Sequence, residues 1–369
     1  MVEQLTMVFL EEQLLANSFE KVFMGAAGTD DGPPVVSEVF DVTLWAGNAS
    51  NRDINNGIDL SGEGGVVWVK NRTSNSTNHR VFDTKNGVTK SWNSNREDPQ
   101  AASANSITAF NNNGFSITGS EAELNANSAN YVGWTFRKSP RFFDVQTWQG
   151  NGTAGRTIAH DLGVVPGMII VKLVNRNTNA EGTVYHNSTA VWTSGDPEDY
   201  YLLISGSNNR FEDNSSETKW DNTAPTDEVF SLGNNFRVNT YYNSLNWTYV
   251  GYFFAHDTED DGIIKCGSYV GNGNSTGPAV NLGFVPQFLM IKKMDSDNKA
   301  FADWVVVDTA RGFTTTGQNK PLEWNTADDE YGQGDYVKLT NTGFQLVSTH
   351  TNWNANNHYY GYLAIKADD

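Results

Sequence analysis

An acidic stretch at residues 257–262, DTEDDG, is the part of the sequence that most resembles a metal-binding loop. It places Asp257, Glu259 and Asp261 at alternating positions before a glycine, and alternating carboxylates are the ligands of acidic calcium loops. The twelfth position of such a loop would be Ser268 instead of a bidentate glutamate, and no helices are expected on either side. We favour a linker of mutually repelling acids, with a weak calcium site at the three carboxylates as the alternative.

Tryptophan next to asparagine is the second pattern that could do chemistry. Indole rings stack on sugars, and amides hydrogen-bond to their hydroxyl groups. Tryptophans in polar sequence surroundings, two of them followed by asparagine, are found at Trp92, Asn93, Trp324, Asn325 and Trp353. Loop tryptophans that plug the core are the favoured interpretation, and a carbohydrate-binding site at these five residues is the alternative.

The sequence contains none of the common catalytic or cofactor-binding motifs. Its six histidines form no HExxH or Cys/His pattern, no G-x-S-x-G is present, and the glycines near Gly150 do not open a helix. Cys266, the one cysteine, lies among apolar residues and is expected to be a buried hydrophobe. Carboxylates are so numerous that no pair stands out as that of a glycosidase. We therefore predict no enzyme and no cofactor.

The composition indicates which partners are disfavoured and which fold class is expected. Asp and Glu number 43 against 25 Lys and Arg, and the resulting charge of −18 disfavours a nucleic-acid partner. No apolar run reaches the roughly 18 residues that span a bilayer, so no membrane insertion is predicted. The chain combines many asparagines and 34 glycines with 12% aromatic residues, which is typical of an all-β protein with many turns.

One apolar sequence segment recurs along the chain and indicates an internal repeat. LGVVPGMIIVK at residues 162–172 returns as LGFVPQFLMIK at residues 282–292, and a weaker copy, GEGGVVWVK, occupies residues 62–70. The proline suits the first residue of a strand, and the apolar run predicts a central strand covered on both faces. Each copy ends in a lysine, Lys70, Lys172 or Lys292, which is expected to mark the exit to solvent.

Further matches follow in the same order. Asp-Thr-x-x-Gly begins at Asp83 and Asp308, whereas the middle copy has His186. The next aligned strands are centred on Phe115, Phe236 and Phe344, and the closing strands align on Gly133, Gly251 and Gly361, preceded by Tyr131, Tyr249 and Tyr359. A period of about 100 to 120 residues predicts three tandem antiparallel β-sandwich (jelly-roll-like) domains at residues 35–140, 141–262 and 263–369.

Residues 1–34 differ from the rest of the chain. Apolar side chains recur at near-helical spacing over residues 2–24, which predicts a short amphipathic helix, and residues 25–34 are typical of a linker. The helix either packs on the first domain or attaches the chain to a partner or a trimer axis.

The strings VSEVFDVTLWAGN, HRVFDTKNGVTK and YVGWTFRKSPRFFDVQTWQGNGTAGRTIAHDLGVVPGMIIVK carry a resemblance that is densest over residues 35–172. Here the chain resembles virion-associated structural or tail-fibre-like proteins of tailed phages, especially marine and cyanobacterial ones. The resemblance implies a component of the virion. Together with the distinct N-terminal segment, it leads us to expect that residues 1–34 attach to other virion proteins while the repeats project outward. Such appendages are commonly threefold, which favours a homotrimer.

The resemblance brings no known active site, so no functional residue is transferred. A lectin-like module that binds a host surface glycan is the alternative function, and a glycan-degrading enzyme is less favoured.

Overall fold

The structure, a computed structural model, describes residues 32–104, 106–176, 181–213, 218–242, 245–295 and 302–368. The helix predicted over residues 2–24 lies outside the described residues, as does most of the linker. The described residues include two four-residue helices, α1 (Val36–Val39) and α2 (Thr351–Asn354). None of the described helices is long and apolar enough to cross a membrane.

Strands are the predominant regular structure of the described chain and occur in three successive groups. The first group is β1 (Phe40–Ala46), β2 (Arg52–Asn55), β3 (Gly65–Asn71), β4 (Arg80–Asp83), β5 (Lys90–Ser91), β6 (Ala101–Ala102), β7 (Ile107–Asn111), β8 (Gly114–Ile117) and β9 (Asn130–Arg137). The second is β10 (Phe143–Gln149), β11 (Arg156–Ala159), β12 (Pro166–Leu173), β13 (Thr183–His186), β14 (Tyr200–Leu203), β15 (Phe211–Glu212), β16 (Val229–Leu232), β17 (Tyr241–Tyr242), β18 (Leu245–Asn246) and β19 (Thr248–Ala255). The third is β20 (Ile264–Val270), β21 (Ala279–Asn281), β22 (Pro286–Lys293), β23 (Trp304–Asp308), β24 (Gln318–Asn319), β25 (Leu322–Glu323), β26 (Gly334–Asp335), β27 (Val337–Thr340), β28 (Gly343–Leu346) and β29 (Tyr359–Lys366).

These strands form three large antiparallel sheets with related strand orders. The first sheet is β1-β9-β3-β4, the second is β10-β19-β12-β13-β14-β15, and the third is β20-β29-β22-β23-β25. Smaller sheets accompany them in the orders β2-β8-β7, β11-β16 and β21-β28-β27, and β5-β6, β17-β18 and β24-β26 are further pairs. The prediction of an all-β fold is confirmed.

The recurring apolar segment forms an interior strand of each large sheet, as its run of apolar residues predicts. All residues of β3 and β12 are buried, and in β22 only Gln287 is partly exposed. Pro166 and Pro286 are the first residues of β12 and β22, and a register shift follows each of them. A proline has no N–H for the ladder, so the strand start is the position that tolerates it.

Each large sheet has two buried faces. In the first sheet, Val67 and Val69 face the small sheet that carries Phe115, and in the third sheet Ile291 packs in a cluster with Phe344. The other faces of all three sheets share one core. Its members include Trp68, Trp134, Ile170, Tyr252, Phe288, Met290 and Trp304.

In the second group of strands, the phenylalanine strand lies at a different position from the one predicted. Phe236 lies in a turn, and Phe230 of β16 takes the place of Phe115 and Phe344. Phe230 packs edge-on to Trp148 with ring centres 5.8 Å apart, as Phe115 packs on Trp45 at 6.1 Å. Spacing alone does not identify Phe230, because the segment between this strand and the closing strand differs in length in the second group of strands.

In the third sheet, the tyrosine equivalent to Tyr131 lies one residue later in the sequence than predicted. Three stacked ring pairs hold equivalent positions, namely Trp45–Tyr131 at 5.5 Å, Trp148–Tyr249 at 5.9 Å and Tyr269–Tyr360 at 4.9 Å. Tyr360, not Tyr359, is therefore the equivalent of Tyr131, and Tyr362 stands where Gly133 and Gly251 stand in their strands. A one-residue slip moves a side chain to the opposite face of a sheet, so the prediction that Gly361 aligns with the other two glycines is wrong.

The described chain from Pro34 onwards forms one compact unit. Side chains from all three predicted domains share the central core. The boundaries at residues 140 and 262 stay predictions.

Candidate functional site

The acidic stretch forms ion pairs within the chain. Arg141 Nε donates to Asp257 Oδ2 at 2.7 Å, and Arg141 Nη2 donates to Asp261 Oδ1 at 2.6 Å. Asp257 is buried and Glu259 is exposed. Among the described residues, no group of three or more His, Cys, Asp or Glu side chains is placed to hold a metal ion. The calcium site stays a prediction, and calcium would have to compete with Arg141 for two of its three carboxylates.

The tryptophans considered for sugar binding are enclosed, which agrees with the favoured interpretation that they plug the core. Trp92, Trp324 and Trp353 are 0%, 1% and 1% exposed; Asn325 is buried and Asn93 partly buried. The ring centres of Trp324 and Trp68 are only 3.6 Å apart. These side chains are apolar enough to complete the core even though polar residues flank them in sequence, and they leave no ring face for a sugar.

Burial extends to nearly all of the tryptophans. Ten of the eleven are buried, and Trp192 alone is partly exposed. Its ring stacks on Tyr359 with centres 4.7 Å apart, and the Arg210 guanidinium lies 4.2 Å from the ring centre. Tryptophan in this chain is a core residue.

The three lysines at the ends of the central strands are buried, so the prediction that they reach solvent is wrong. Lys70, Lys172 and Lys292 are 0%, 0% and 1% exposed. Each lies at a boundary between two large sheets, which we call a seam. Burial lowers the pKa of Lys70 to about 8 and that of Lys172 and Lys292 to about 7.

Each lysine reaches from its own sheet to the next in a cyclic order. Lys70 Nζ donates to the carbonyl of Ala327, which follows the third sheet's strand β25, at 2.9 Å. Lys292 Nζ donates to the carbonyl of Gly206, which follows β14 of the second sheet, at 3.2 Å. Lys172 Nζ lies 5.3 Å from the ring centre of Trp92, beside the first sheet. The lysines therefore connect the first sheet to the third, the third sheet to the second, and the second sheet to the first.

A second set of contacts joins the same three pairs of sheets. Three residues occupy equivalent places at the ends of β4, β13 and β23, and each hydrogen-bonds a closing strand of another sheet. The pairs are Trp134 Nε1 to Asp308 Oδ2 at 3.0 Å, Tyr252 OH to Asp83 Oδ2 at 2.9 Å, and His186 Nε2 with Tyr362 O at 3.1 Å. The histidine that breaks the Asp-Thr-x-x-Gly pattern thus occupies the same structural position as the aspartates.

A carboxyl cluster lies where the third sheet meets the first. Asn352 Nδ2 donates to Asp303 Oδ2 at 3.0 Å and to Glu323 Oε1 at 3.1 Å, and the Tyr331 hydroxyl also donates to Glu323. Burial, with a smaller contribution from Asp303, raises the pKa of Glu323 to about 7. Sequence reasoning missed this cluster because its members are distant in sequence and no motif links them.

Replacing Glu323 with glutamine is expected to change the pH dependence of stability. The pKa of Glu323 is about 7 in the folded chain against an ordinary 4.5, so the folded state holds the proton more tightly. Its stabilising contribution is complete below about pH 4.5 and is lost as the pH rises through 7. Thermal unfolding at pH 5 to 8 should show the wild type losing stability relative to E323Q. Exposed Glu63→Gln should track the wild type, and parallel curves for E323Q would contradict the assignment.

A buried asparagine holds one turn in each group of strands, and sequence reasoning missed this feature too. Asn125, Asn239 and Asn354 are all 0% exposed. Asn354 Nδ2 donates to Asn272 Oδ1, Asn274 O and Ser348 O at 2.8–3.1 Å, and its Oδ1 accepts from Asn272 N at 2.8 Å. Asn125 and Asn239 bind the turns at Asn48 and Asn151 in the same way. We call these the asparagine-clamped turns.

The clamped turns share a sequence signal that can be read in hindsight. An aromatic residue, any residue, Gly and Asn occupy residues 45–48, 148–151 and 269–272. A Cβ on Gly47, Gly150 or Gly271 would lie 2.0–2.2 Å from a carbonyl oxygen of the clamping loop. Only glycine allows that approach.

Comparison with family models gives one match. The model for DUF7483, a domain of unknown function, matches residues 35–368. The chain belongs to this family. No curated protein matches the sequence. The family match begins within two residues of the compact unit, which starts at Pro34, and excludes the N-terminal segment.

Proposed function

We propose that the chain is a structural component of a tailed-phage virion, such as a tail fibre, spike or decoration protein. Three β-sandwich repeats stand side by side in it, and residues 1–34 attach them to other virion proteins. The sequence resemblance over residues 35–172 supports the virion assignment. The family match, which leaves residues 1–34 outside, supports a division between a family domain and an attachment segment.

The observation that carries a structural role is the use of polar side chains at the seams. Lys70, Lys292, Asp83 and Asp308 form hydrogen bonds between sheets of the same chain. Breaking such buried bonds leaves unpartnered polar groups, which cost about 1–3 kcal/mol each. Seams of this kind favour a rigid body that keeps its shape under load.

The rival functions draw less support from the described residues. The enclosed tryptophans remove the aromatic platforms on which the lectin interpretation first rested. Glu323, whose pKa is raised by burial, and its neighbour Asp303 hydrogen-bond to Asn352 and Tyr331 within the chain. We therefore propose a structural and not an enzymatic role, with the protein exposed on the particle.

Deleting residues 1–34 is expected to prevent incorporation into particles. Particles of the encoding phage would be purified with the full chain or the truncated chain, and the protein quantified by mass spectrometry. The full chain should be present at a constant number per particle and the truncated chain absent, although both unfold at the same temperature. Light scattering on the two purified chains tests the homotrimer, which stays a prediction.

A full-length chain with Val191→Ala, a change at an exposed residue, is the matched control and should incorporate normally. Absence of the full chain from purified particles would refute the virion assignment. Normal incorporation of the truncated chain would refute only the attachment role.

A further inference from the structure

Backbone hydrogen bonds join the three large sheets at equivalent positions. In each sheet, the residue two positions after the buried lysine has a carbonyl group that accepts from a loop of another group of strands. The bonds are Glu330 N to Arg72 O at 3.1 Å, Gln100 N to Val174 O at 2.9 Å and Arg210 N to Met294 O at 2.9 Å. The first sheet is therefore bound to the third group, the second sheet to the first group, and the third sheet to the second group.

Two further sets of contacts follow the same order. Lys70 reaches the third group, Lys172 the first and Lys292 the second. The closing strands β9, β19 and β29 contact the ends of β23, β4 and β13, again in the third, first and second groups. All three sets thus take the same step from sheet to sheet, and the step returns to its start after three sheets. A head-to-tail contact that closes in this way is the arrangement of a threefold ring.

Aromatic side chains from all three sheets meet inside this ring. The ring centre of Phe136, in the first sheet, lies 5.5 Å from that of Phe254 in the second sheet and 6.1 Å from that of Phe288 in the third. All three belong to the core that the sheets share. Each sheet taken alone would expose this apolar surface to water, so the sheets depend on one another for stability.

The seams are equivalent in position but differ in chemistry. Asp83 and Asp308 accept hydrogen bonds from side chains of the neighbouring sheets, whereas His186 Nε2 donates to the backbone carbonyl of Tyr362. His186 Nδ1 accepts from Ser188 N at 3.2 Å, so the ring proton is on Nε2. An aspartate at this position would place a carboxylate against a carbonyl oxygen. Three copies of one subunit would carry identical residues at all three interfaces, whereas each of these seams fits its own pair of neighbours.

We propose that one chain forms a complete threefold ring and acts as a monomer, with its three seams in place of the subunit interfaces of a homotrimer. The cycle of contacts closes within the chain, so a second copy is not required to complete it. This inference is an alternative to the homotrimer that the resemblance favours. Its consequence for the particle rests on the proposed function, because it means that each attachment point on the virion takes a single chain.

Light scattering on the purified full chain tests the inference. The mass should be 40.7 kDa, that of one chain, over an about hundredfold range of protein concentration. The unfolding temperature should also stay constant over this range, because that of an oligomer rises with protein concentration. A mass of two or three chains, or an unfolding temperature that rises with concentration, would overturn the proposal.

Tyr252→Phe tests whether a seam holds the ring together within one chain. The change removes a hydroxyl group that donates to Asp83 Oδ2 at 2.9 Å and accepts from Trp92 Nε1 at 2.8 Å. The variant should keep the mass of one chain and unfold about 2–5 °C lower at every concentration, because two buried polar groups lose a partner. Tyr201→Phe, the same change at a partly exposed tyrosine, is the matched control and should unfold like the wild type.

An unchanged unfolding temperature for Y252F, or a loss that shrinks as the protein concentration rises, would also overturn the proposal. Incorporation into particles is measured separately, so any of these results leaves the virion assignment intact.

Discussion

Trp324→Ala is expected to lower the free energy of unfolding by about 3–5 kcal/mol, the usual cost of emptying a buried aromatic site. The indole is 1% exposed and stacks on Trp68 with ring centres 3.6 Å apart. Its backbone carbonyl accepts from Ser94 Oγ at 2.5 Å, so the residue lies in the seam between the first and third sheets. Truncation removes packing on both sides of that seam. Chemical denaturation followed by circular dichroism measures the loss.

The matched control is Trp192→Ala, the same change at the one tryptophan that is partly exposed. It should lower the free energy of unfolding by about 1 kcal/mol, because less apolar surface leaves contact. Equal losses for the two variants would contradict the assignment of Trp324 to a shared core. A change in glycan binding by W324A without a change in stability would restore Trp324 as a sugar platform.

Asn354→Asp is expected to lower the free energy of unfolding by about 3 kcal/mol at pH 7, although the side chain keeps its size. The amide donates to three oxygen atoms, Asn272 Oδ1, Asn274 O and Ser348 O. A carboxylate cannot donate and places negative charge against them in a fully buried site. Because a protonated carboxyl regains one donor, we expect part of the loss to be recovered at pH 4.

The control for this change is Asn274→Asp, at an exposed residue of the same turn. It should change stability by less than about 0.5 kcal/mol, as is usual for surface substitutions. Thermal unfolding of both variants at pH 4 and pH 7 provides the measurement. A loss at Asn354 that does not depend on pH would show that lost packing, and not the missing donors, is responsible.

Features that depend on local pattern are predicted correctly from the residues alone. The apolar runs before Lys172 and Lys292 identified buried interior strands, and the prolines marked their first residues. Turn residues and aromatic content gave the all-β class. Register was less secure, because Phe236 and Tyr359 each lie near a residue of similar type. Only the pairing of strands distinguishes Phe230 and Tyr360 as the true equivalents.

The tertiary structure decided what happens at the seams. Lys70 ends an apolar run and is expected to reach solvent, yet it is buried because the third sheet covers it. Trp324 stands in polar sequence surroundings, and Trp68 of the first sheet encloses its ring. The Glu323 cluster brings Asp303 and Asn352 to Glu323 from 20 and 29 positions away, so the raised pKa of Glu323 has no local signal. Burial of a charged or aromatic group depends on what the rest of the chain places beside it, and spacing along one strand carries no information about that neighbour.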